Sequence, residues 1–210
     1  MWHKVSPLAF RIGYIKKWKT TGYANKNWYK DQVVLDSKVR TTLKLEFKGI
    51  PVWNIFITHI KELTRVIIYT SKSSLVLGKN WENVERLETL LKRKFNKEFK
   101  IDVKEIKSPD TDAIIVAFSI ARQIEKRMPY RRVIKQIIAK AREKWAKGIK
   151  VLAWGRLNWV DIARSETYKE GAIPTQSIRA DIDYATERAD TVYWVIWIKV
   201  WIYKWDVIKK

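Results

Sequence analysis

The sequence of 210 residues predicts an α+β protein with two domains, and three observations lead to this fold class. A helix, two strands, a helix and a further strand are predicted in that order between residues 38 and 106. Two helices followed by several strands are predicted in the second half. Between the halves, Ser108-Pro109-Asp110 combines a helix-capping residue with a proline, as at a helix start. We therefore predict a basic N-terminal arm over 1–37, one domain over 38–108 and a second over 109–208.

The elements of the first predicted domain follow from the spacing of its apolar residues. They are a helix over 38–48, strands over 55–57 and 65–70, a helix over 80–95 and a strand over 99–106. Gly49 and Pro51 end the first helix. One face of the second helix is apolar, which predicts that it is buried; its residues are Val84, Leu87, Leu90 and Leu91.

The second predicted domain is an α/β sandwich of two helices on a mostly antiparallel sheet. Its elements are a helix that ends near Arg127, a helix from Pro129 to Gly148, and strands over 149–157, 180–188 and 191–204. A polar segment with Gly171 and Pro174 separates the first of these strands from the other two.

The Trp-rich segment over residues 193–201 has three interpretations. Its aromatic rings are suited to stacking on nucleic-acid bases, and cationic Trp-rich segments also lie in membrane interfaces. The third interpretation, which we favour, is a core strand whose inward residues are Trp194, Ile196, Ile198 and Val200.

Composition excludes several kinds of chemistry. The chain has no cysteine, which excludes disulfides, thiolate metal sites and a cysteine nucleophile. His3 and His59 lack the spacing of metal ligands, so we expect no metal and no cofactor, and we expect His59 to be a hydrogen-bonded strand residue. The segment 77–80 (LGKN) fails as a nucleotide-binding P-loop, because Ser73 and Asn80 stand where that motif needs glycine and Ser/Thr. We therefore expect no enzyme and no small-molecule substrate.

The charge of the chain indicates a polyanionic partner. Lys and Arg number 43 against 22 Asp and Glu, which gives a net charge of +21. Lysine and arginine beside phosphates release condensed counterions, so nucleic acid is the first candidate partner and an anionic membrane surface the second. No apolar run approaches the length of about 18 residues that a membrane span needs, and the N-terminus has no signal-peptide pattern. We expect a cytoplasmic protein with no membrane partner.

A basic stripe on the helix after Pro129 is the strongest local signal. Arg127, Arg131 and Lys135 recur every four residues, Arg132 is adjacent, and no Asp or Glu falls between residues 126 and 140. An exposed helix face usually mixes charge signs to form stabilising pairs. The stripe therefore predicts phosphate binding. The pair Asp181 and Asp183, by contrast, is expected at the surface or in contact with RNA.

Several segments together resemble the bacterial small-subunit ribosomal protein S-three family over nearly the whole chain. The segments are Lys4-Val5-Ser6-Pro7 with Phe10-Arg11-Ile12-Gly13, Val76-Leu77-Gly78-Lys79-Asn80-Trp81, residues 125–135 (EKRMPYRRVIK), Gly155-Arg156-Leu157, Ile162-Ala163-Arg164 and Arg179-Ala180-Asp181-Ile182-Asp183-Tyr184. The resemblance implies a type II KH domain, an RNA-binding fold with a GXXG loop that clamps the RNA backbone, followed by an α/β domain.

The resemblance also implies a function. It implies a structural component of the small ribosomal subunit head that binds ribosomal RNA, contacts neighbouring head proteins and lines the channel by which mRNA enters. The implied RNA-binding residues are Lys4, Gly78, Lys79, Asn80, Trp81, Arg127, Arg131, Arg132, Lys135, Arg156, Arg164 and Arg179, of which Arg131, Arg132 and Lys135 would face mRNA. The alternatives are a free KH-type regulator of RNA and a membrane-active cationic protein.

Tryptophan is abundant in this chain and glycine is scarce. There are 12 tryptophans and 7 glycines, whereas average usage would give roughly 15 glycines in this length. Seven tryptophans stand where the resembled family usually has glycine: Trp2, Trp81, Trp145, Trp159, Trp194, Trp197 and Trp205. Some bacteria read the UGA codon as glycine and others read it as tryptophan. We hypothesise that these tryptophans are glycines in the native protein; the alternative is real substitution, with a weakened RNA clamp.

Overall fold

The computed structural model describes residues 4–47, 49–60, 63–78 and 81–208. It divides the chain into two compact units, which we describe separately. One unit holds the described residues up to Lys17 together with those from Ser108 onward, and the other holds Trp18 to Lys107. The predicted arm over 1–37 is therefore divided between the two units, since its first part belongs with the C-terminal half of the chain.

The unit over 18–107 is a four-stranded sheet with helices. Its elements are β1 Thr20–Thr21, α2 Lys26–Glu46, β2 Val52–Ile60, β3 Leu63–Thr70, α3 Ser73–Leu77, α4 Glu82–Phe95 and β4 Glu98–Glu105, and the chain's first helix, α1 Pro7–Phe10, belongs to the other unit. The strand order is β1-β2-β3-β4. Strands β2 and β3 are antiparallel, whereas β1 is parallel to β2 and β4 is parallel to β3.

The core of this unit lies between its helices and its sheet. Val39 and Leu43 of α2, Leu87 and Leu91 of α4, and residues of the three longer strands are buried together. The predicted order of helix, strand, strand, helix and strand is confirmed. His59 accepts or donates hydrogen bonds at both ring nitrogens, with Asp36 at 2.8 Å and Thr64 at 3.3 Å, as expected for a satisfied strand histidine.

Two helices of this unit differ from the prediction. Helix α2 begins at Lys26, twelve residues before the predicted start, because residues 26–38 are mostly exposed and therefore carry no apolar stripe. The short helix α3 was not predicted, because its five residues include a single buried one, Val76.

The unit that contains the C-terminal half has two helices on an antiparallel sheet. Its further elements are α5 Ala113–Glu125, α6 Tyr130–Glu143, β5 Gly148–Gly155, β6 Arg164–Gly171, β7 Ala180–Asp190 and β8 Val195–Asp206. The strand order is β6-β5-β8-β7, with every neighbouring pair antiparallel. Both helices share one core with the sheet. The predicted sandwich of two helices on an antiparallel sheet is confirmed.

Strand β8 is a core strand, as favoured from the sequence. Ile196, Ile198 and Val200 are buried, and Trp194 packs beside the core. Strand β6 was missed, because its sequence RSETYKEG is polar and it lies at the edge of the sheet, where most of its side chains are exposed.

A buried arginine fixes the N-terminal segment to β7. Arg11 is fully buried, and its guanidinium donates hydrogen bonds to the backbone oxygens of Pro7 (2.8 Å), Thr175 (3.1 Å), Ser177 (2.8 Å) and Ala180 (2.6 Å). An arginine carries five N–H donors in a rigid fork, and several carbonyl groups satisfy them here. The N-terminal segment is therefore part of the C-terminal unit.

The expectation that Asp181 and Asp183 lie at the surface or contact RNA was wrong. Both residues are buried. The Nζ of Lys16 lies 2.8 Å from Oδ1 of Asp181 and 3.5 Å from Oδ1 of Asp183. Burial alone would lower the pKa of Lys16, but the carboxylates of Asp183 and Asp181 outweigh it and raise that pKa. Lys16 is more than 160 positions distant in sequence, and Nζ of Lys204, on the adjacent strand β8, lies 3.7 Å from Oδ2 of Asp183. The spacing of the two aspartates alone therefore does not reveal their partners.

Candidate nucleic-acid interface

The turn between α3 and α4 has the backbone that the GXXG interpretation requires at its first glycine. Gly78 follows α3 with φ of 73°, a conformation that residues with a Cβ rarely adopt. A Cβ at this position would lie 2.5 Å from the side-chain nitrogen of Asn83. The predicted residues Lys79 and Asn80 lie outside the described residues.

Trp81 occupies the position at which the turn enters α4. Its φ of 66° and ψ of 7° place it in the left-handed region, and its side chain is 57% exposed. The first N–H groups of a helix lack partners inside the helix and carry a partial positive charge, which favours phosphate. An indole at this position projects from the surface at which an RNA backbone would approach.

Helix α6 separates a buried apolar face from an exposed basic face. The buried residues are Tyr130, Val133, Ile134, Ile137, Ile138 and Ala141. Arg131, Arg132 and Lys135 are exposed on the other side, and Arg127 is exposed in the turn before the helix. The structure therefore places all four predicted stripe residues on the surface. Arg131, Arg132 and Lys135 share one side of the helix because the regularly spaced apolar residues of α6 bury the opposite side.

A carboxylate that no sequence motif indicates, Glu166, lies at one end of the stripe. Nη2 of Arg131 is 3.2 Å from Oε1 of Glu166, and Nη2 of Arg164 is also 3.2 Å from it. The hydroxyl groups of Tyr130 and Tyr168 donate to Oε2 of Glu166 at 2.8 and 2.7 Å. Glu166 therefore joins the predicted residues Arg131 and Arg164, which are 33 positions apart, in one cluster.

The hydrogen bonds of this cluster fix its charge state. Donation from Tyr168, followed by donation from Arg131 and Tyr130, lowers the pKa of Glu166 to about 2. Burial and the bond to Glu166 raise the pKa of Tyr168 to about 12. The same contacts raise the pKa of Arg131, which stays charged. Glu166 is therefore ionised at neutral pH, and it both holds and partly neutralises Arg131.

The rest of the stripe keeps its charge uncompensated. Within the described part of the chain, Arg127, Arg132 and Lys135 have no ion-pair partner. Arg127 lies in the turn between α5 and α6, and Arg132 and Lys135 lie in the first two turns of α6. They form the free part of the basic face, whereas Arg131 is its anchored part.

The other predicted RNA-binding residues lie apart from the stripe: Arg156 is half-buried, and Arg179 and Lys4 are exposed. Arg156 lies 2.6 Å from Oδ1 of Asp161, and its guanidinium lies over the ring of Trp194 at 4.3 Å. Nε of Arg179 is 3.7 Å from a carboxylate oxygen of Asp206. Lys4 is exposed. The contacts of the described residues do not join these three side chains to the stripe.

The described residues contain neither a membrane span nor a metal cluster. No helix among them is long and apolar enough to cross a bilayer. No group of three or more His, Asp or Glu side chains in that part of the chain is arranged to hold a metal ion.

Comparison with known proteins finds a family match in each half of the chain. Residues 38–111 match the KH domain family, and residues 120–202 match the C-terminal domain of ribosomal protein S3. The chain is 42% identical over 208 residues to the small ribosomal subunit protein uS3 of Maridesulfovibrio salexigens, a match that covers 99% of this chain and 97% of that protein.

Proteins from Burkholderia are similar over the same length. The small ribosomal subunit proteins uS3 of Burkholderia cenocepacia and Burkholderia vietnamiensis are each 39% identical over 208 residues, which cover 99% of this chain and 78% of theirs. A similarity of this extent confirms the resemblance first seen in the sequence. The chain belongs to the uS3 family of small ribosomal subunit proteins.

Proposed function

We propose that this protein is a structural component of the small ribosomal subunit in the cytoplasm, where it binds ribosomal RNA and lines the channel by which mRNA enters. Members of its family are structural proteins rather than enzymes. Neighbouring proteins of the subunit head are further partners in this proposal. The single observation that carries the mRNA contact is the exposed basic face of α6, in which Arg132 and Lys135 have no ion-pair partner among the described residues.

The basic face of α6 is better suited to binding an RNA that moves past it than to binding one RNA sequence in a fixed position. Arg132 and Lys135 are exposed side chains on a helix, so they reach phosphates without fixing the orientation of a base. Binding of this kind is driven by counterion release and does not depend on sequence. A message that passes the helix would therefore meet the same attraction at each nucleotide.

Glu166 gives the face a rigid end. It holds Arg131 against Tyr130, whose ring lies 5.7 Å from the guanidinium carbon. An arginine held in this way loses less side-chain entropy when it meets a phosphate, although the carboxylate competes with that phosphate for its charge. We therefore expect Arg131 to position the mRNA. We expect Arg132 and Lys135 to supply most of the electrostatic attraction to its phosphates.

The KH turn supplies the second part of the proposal. The left-handed glycine Gly78 and the N-terminus of α4 form the part of the turn where an RNA backbone would lie close to the protein backbone. The contacts in the two units serve different purposes in this proposal. The turn holds ribosomal RNA, whereas the basic face of α6 meets mRNA.

Binding of a single-stranded RNA oligonucleotide at increasing salt concentrations tests the role of the basic face. We expect Arg132→Ala together with Lys135→Ala to weaken binding and to lower the slope of log K against log salt by about 1 for each lost phosphate contact. The matched control is Lys169→Ala, which removes one exposed charge from β6 in the same unit. Equal salt slopes for the double variant and the unchanged protein would contradict the proposal.

A further inference from the structure

Two tryptophans occupy backbone positions that favour glycine. Trp81 has φ of 66° and ψ of 7°, and Trp145 has φ of 66°. In this region the Cβ of an L-residue lies close to the following carbonyl oxygen, so glycine is the residue that adopts it without strain. For a bulky residue a positive φ of this kind is an outlier. These are the only tryptophans with positive φ among the described residues.

The end of α6 shows why the chain needs this conformation at position 145. The N–H of Ala146 donates to the carbonyl oxygen of Ala141 at 3.2 Å, and the N–H of Trp145 donates to that of Arg142 at 3.1 Å. This pair of bonds is the Schellman motif, in which the residue at position 145 is usually glycine. The bonds satisfy carbonyl groups that the helix end leaves free, so the backbone requirement at position 145 is independent of the side chain.

Residues other than glycine and tryptophan also adopt a positive φ in this chain. Asn96 ends α4 with φ of 50°, and asparagine tolerates this region because its short polar side chain bonds locally. Arg127 ends α5 with φ of 63° and forms the same pair of bonds as Trp145. A positive φ therefore does not by itself require glycine, and the side-chain contacts have to be considered too.

The exposure of Trp81 and Trp145 and their lack of ring contacts among the described residues leave the strain without an evident compensation. Trp145 is 91% exposed, and within the described residues neither indole has an aromatic or cationic neighbour. Trp201 differs, because its ring lies 5.1 Å from that of Tyr184 and 5.2 Å from Nζ of Lys150. Ring contacts of this kind stabilise Trp201, and in the described part of the chain Trp81 and Trp145 have none.

The composition of the chain also indicates that some of its tryptophans stand at glycine positions. It contains 12 tryptophans and only 7 glycines. We propose that residues 81 and 145 are glycine in the protein that cells make, because the codon written as tryptophan at these positions is decoded as glycine. At position 81 glycine also opens the KH turn to an RNA backbone, a consequence that rests on the proposed function.

Peptide mass spectrometry of the protein isolated from its source cells tests the proposal directly. We expect the peptides that contain positions 81 and 145 to carry glycine at both. The peptides that contain Trp201 and Arg127 are internal controls and should keep tryptophan and arginine. Tryptophan at position 81 or at position 145 overturns the proposal.

Variants of the recombinant protein test the backbone argument without reference to RNA. We expect Trp81→Gly and Trp145→Gly each to raise the urea midpoint of unfolding above that of the starting protein and of the matching alanine variant, which keeps a Cβ. Asn96→Gly is the control and should shift the midpoint little. A midpoint that falls in either glycine variant overturns the argument, and this readout stays valid if the protein binds no RNA.

Measurements of RNA affinity then show whether the indole of Trp81 blocks the RNA backbone or stacks on a base. We expect Trp81→Gly to bind a ribosomal RNA fragment more tightly than the starting protein, and Trp81→Phe to show no such gain. If Trp81→Gly binds more weakly and Trp81→Phe keeps full affinity, the indole is a working stacking surface and the proposal fails at position 81.

Discussion

At the scale of single residues, charge compensation distinguishes the members of the basic stripe. Glu166 reaches Arg131 from a neighbouring strand, whereas Arg132 and Lys135 face the solvent. The positions of the four cations could be predicted, because the helical period and the apolar face fix which side chains point outward. Glu166 could not be predicted, because it lies in a polar strand and joins the stripe only through the fold.

The depressed pKa of Glu166 makes a specific contribution to acid stability. Because this pKa is about 2 in the folded protein and about 4.3 in an unfolded chain, the stabilisation is complete above about pH 5 and is lost as the pH falls toward 2. We expect Glu166→Gln to be less stable at neutral pH and to lose less stability on acidification. Urea denaturation at several pH values measures both quantities.

The control for this prediction is another glutamate in the same unit. Glu143→Gln removes a carboxylate from the end of α6 that has no partner within the described residues, so its stability should follow the same pH curve as the starting protein. If Glu166→Gln loses as much unfolding free energy on acidification as Glu143→Gln does, the Glu166 cluster does not stabilise the fold.

At the scale of elements, the fold depends on contacts between segments that are distant in sequence. The N-terminal segment is held on the C-terminal unit by Arg11, whose carbonyl acceptors include three residues more than 160 positions away. The helices and strands with a clear apolar period could be predicted with their order. The helix start at Lys26, the strand β6 and the docking of the N-terminal segment could not, since exposed or polar residues carry no such period.

Arg11 gives the clearest prediction at this scale. Arg11→Lys keeps the charge but loses most of the guanidinium hydrogen bonds, which leaves buried carbonyl groups unsatisfied and should cost about 2–4 kcal/mol of unfolding free energy. Urea denaturation measures this loss, and limited proteolysis shows whether the N-terminal segment becomes accessible.

Lys17→Ala is the matched control for the Arg11 variant. Lys17 is an exposed cation in the same segment, so its removal should change stability by at most about 0.5 kcal/mol. If Arg11→Lys is as stable as Lys17→Ala, the N-terminal segment is held by other contacts and the role assigned to Arg11 is wrong.

At the scale of the whole molecule, composition and fold agree on a polyanionic partner. The net charge of +21 is carried on two domains, neither of which holds a metal cluster among its described residues. The lack of cysteine in the chain is enough to exclude thiol chemistry. Composition does not identify RNA as the polyanion, which follows from the KH domain, from family membership and from the uncompensated basic face of α6.

The most direct test of the central claim is photo-crosslinking of mRNA on assembled ribosomes. Ribosomes that contain this protein are programmed with a message carrying thiouridine downstream of the decoding position, irradiated, and digested for peptide mass spectrometry. We expect crosslinks to the peptides that span residues 126–140, and fewer of them when Arg132 and Lys135 are replaced by alanine. Crosslinks confined to other proteins, with none on this segment, would contradict the account.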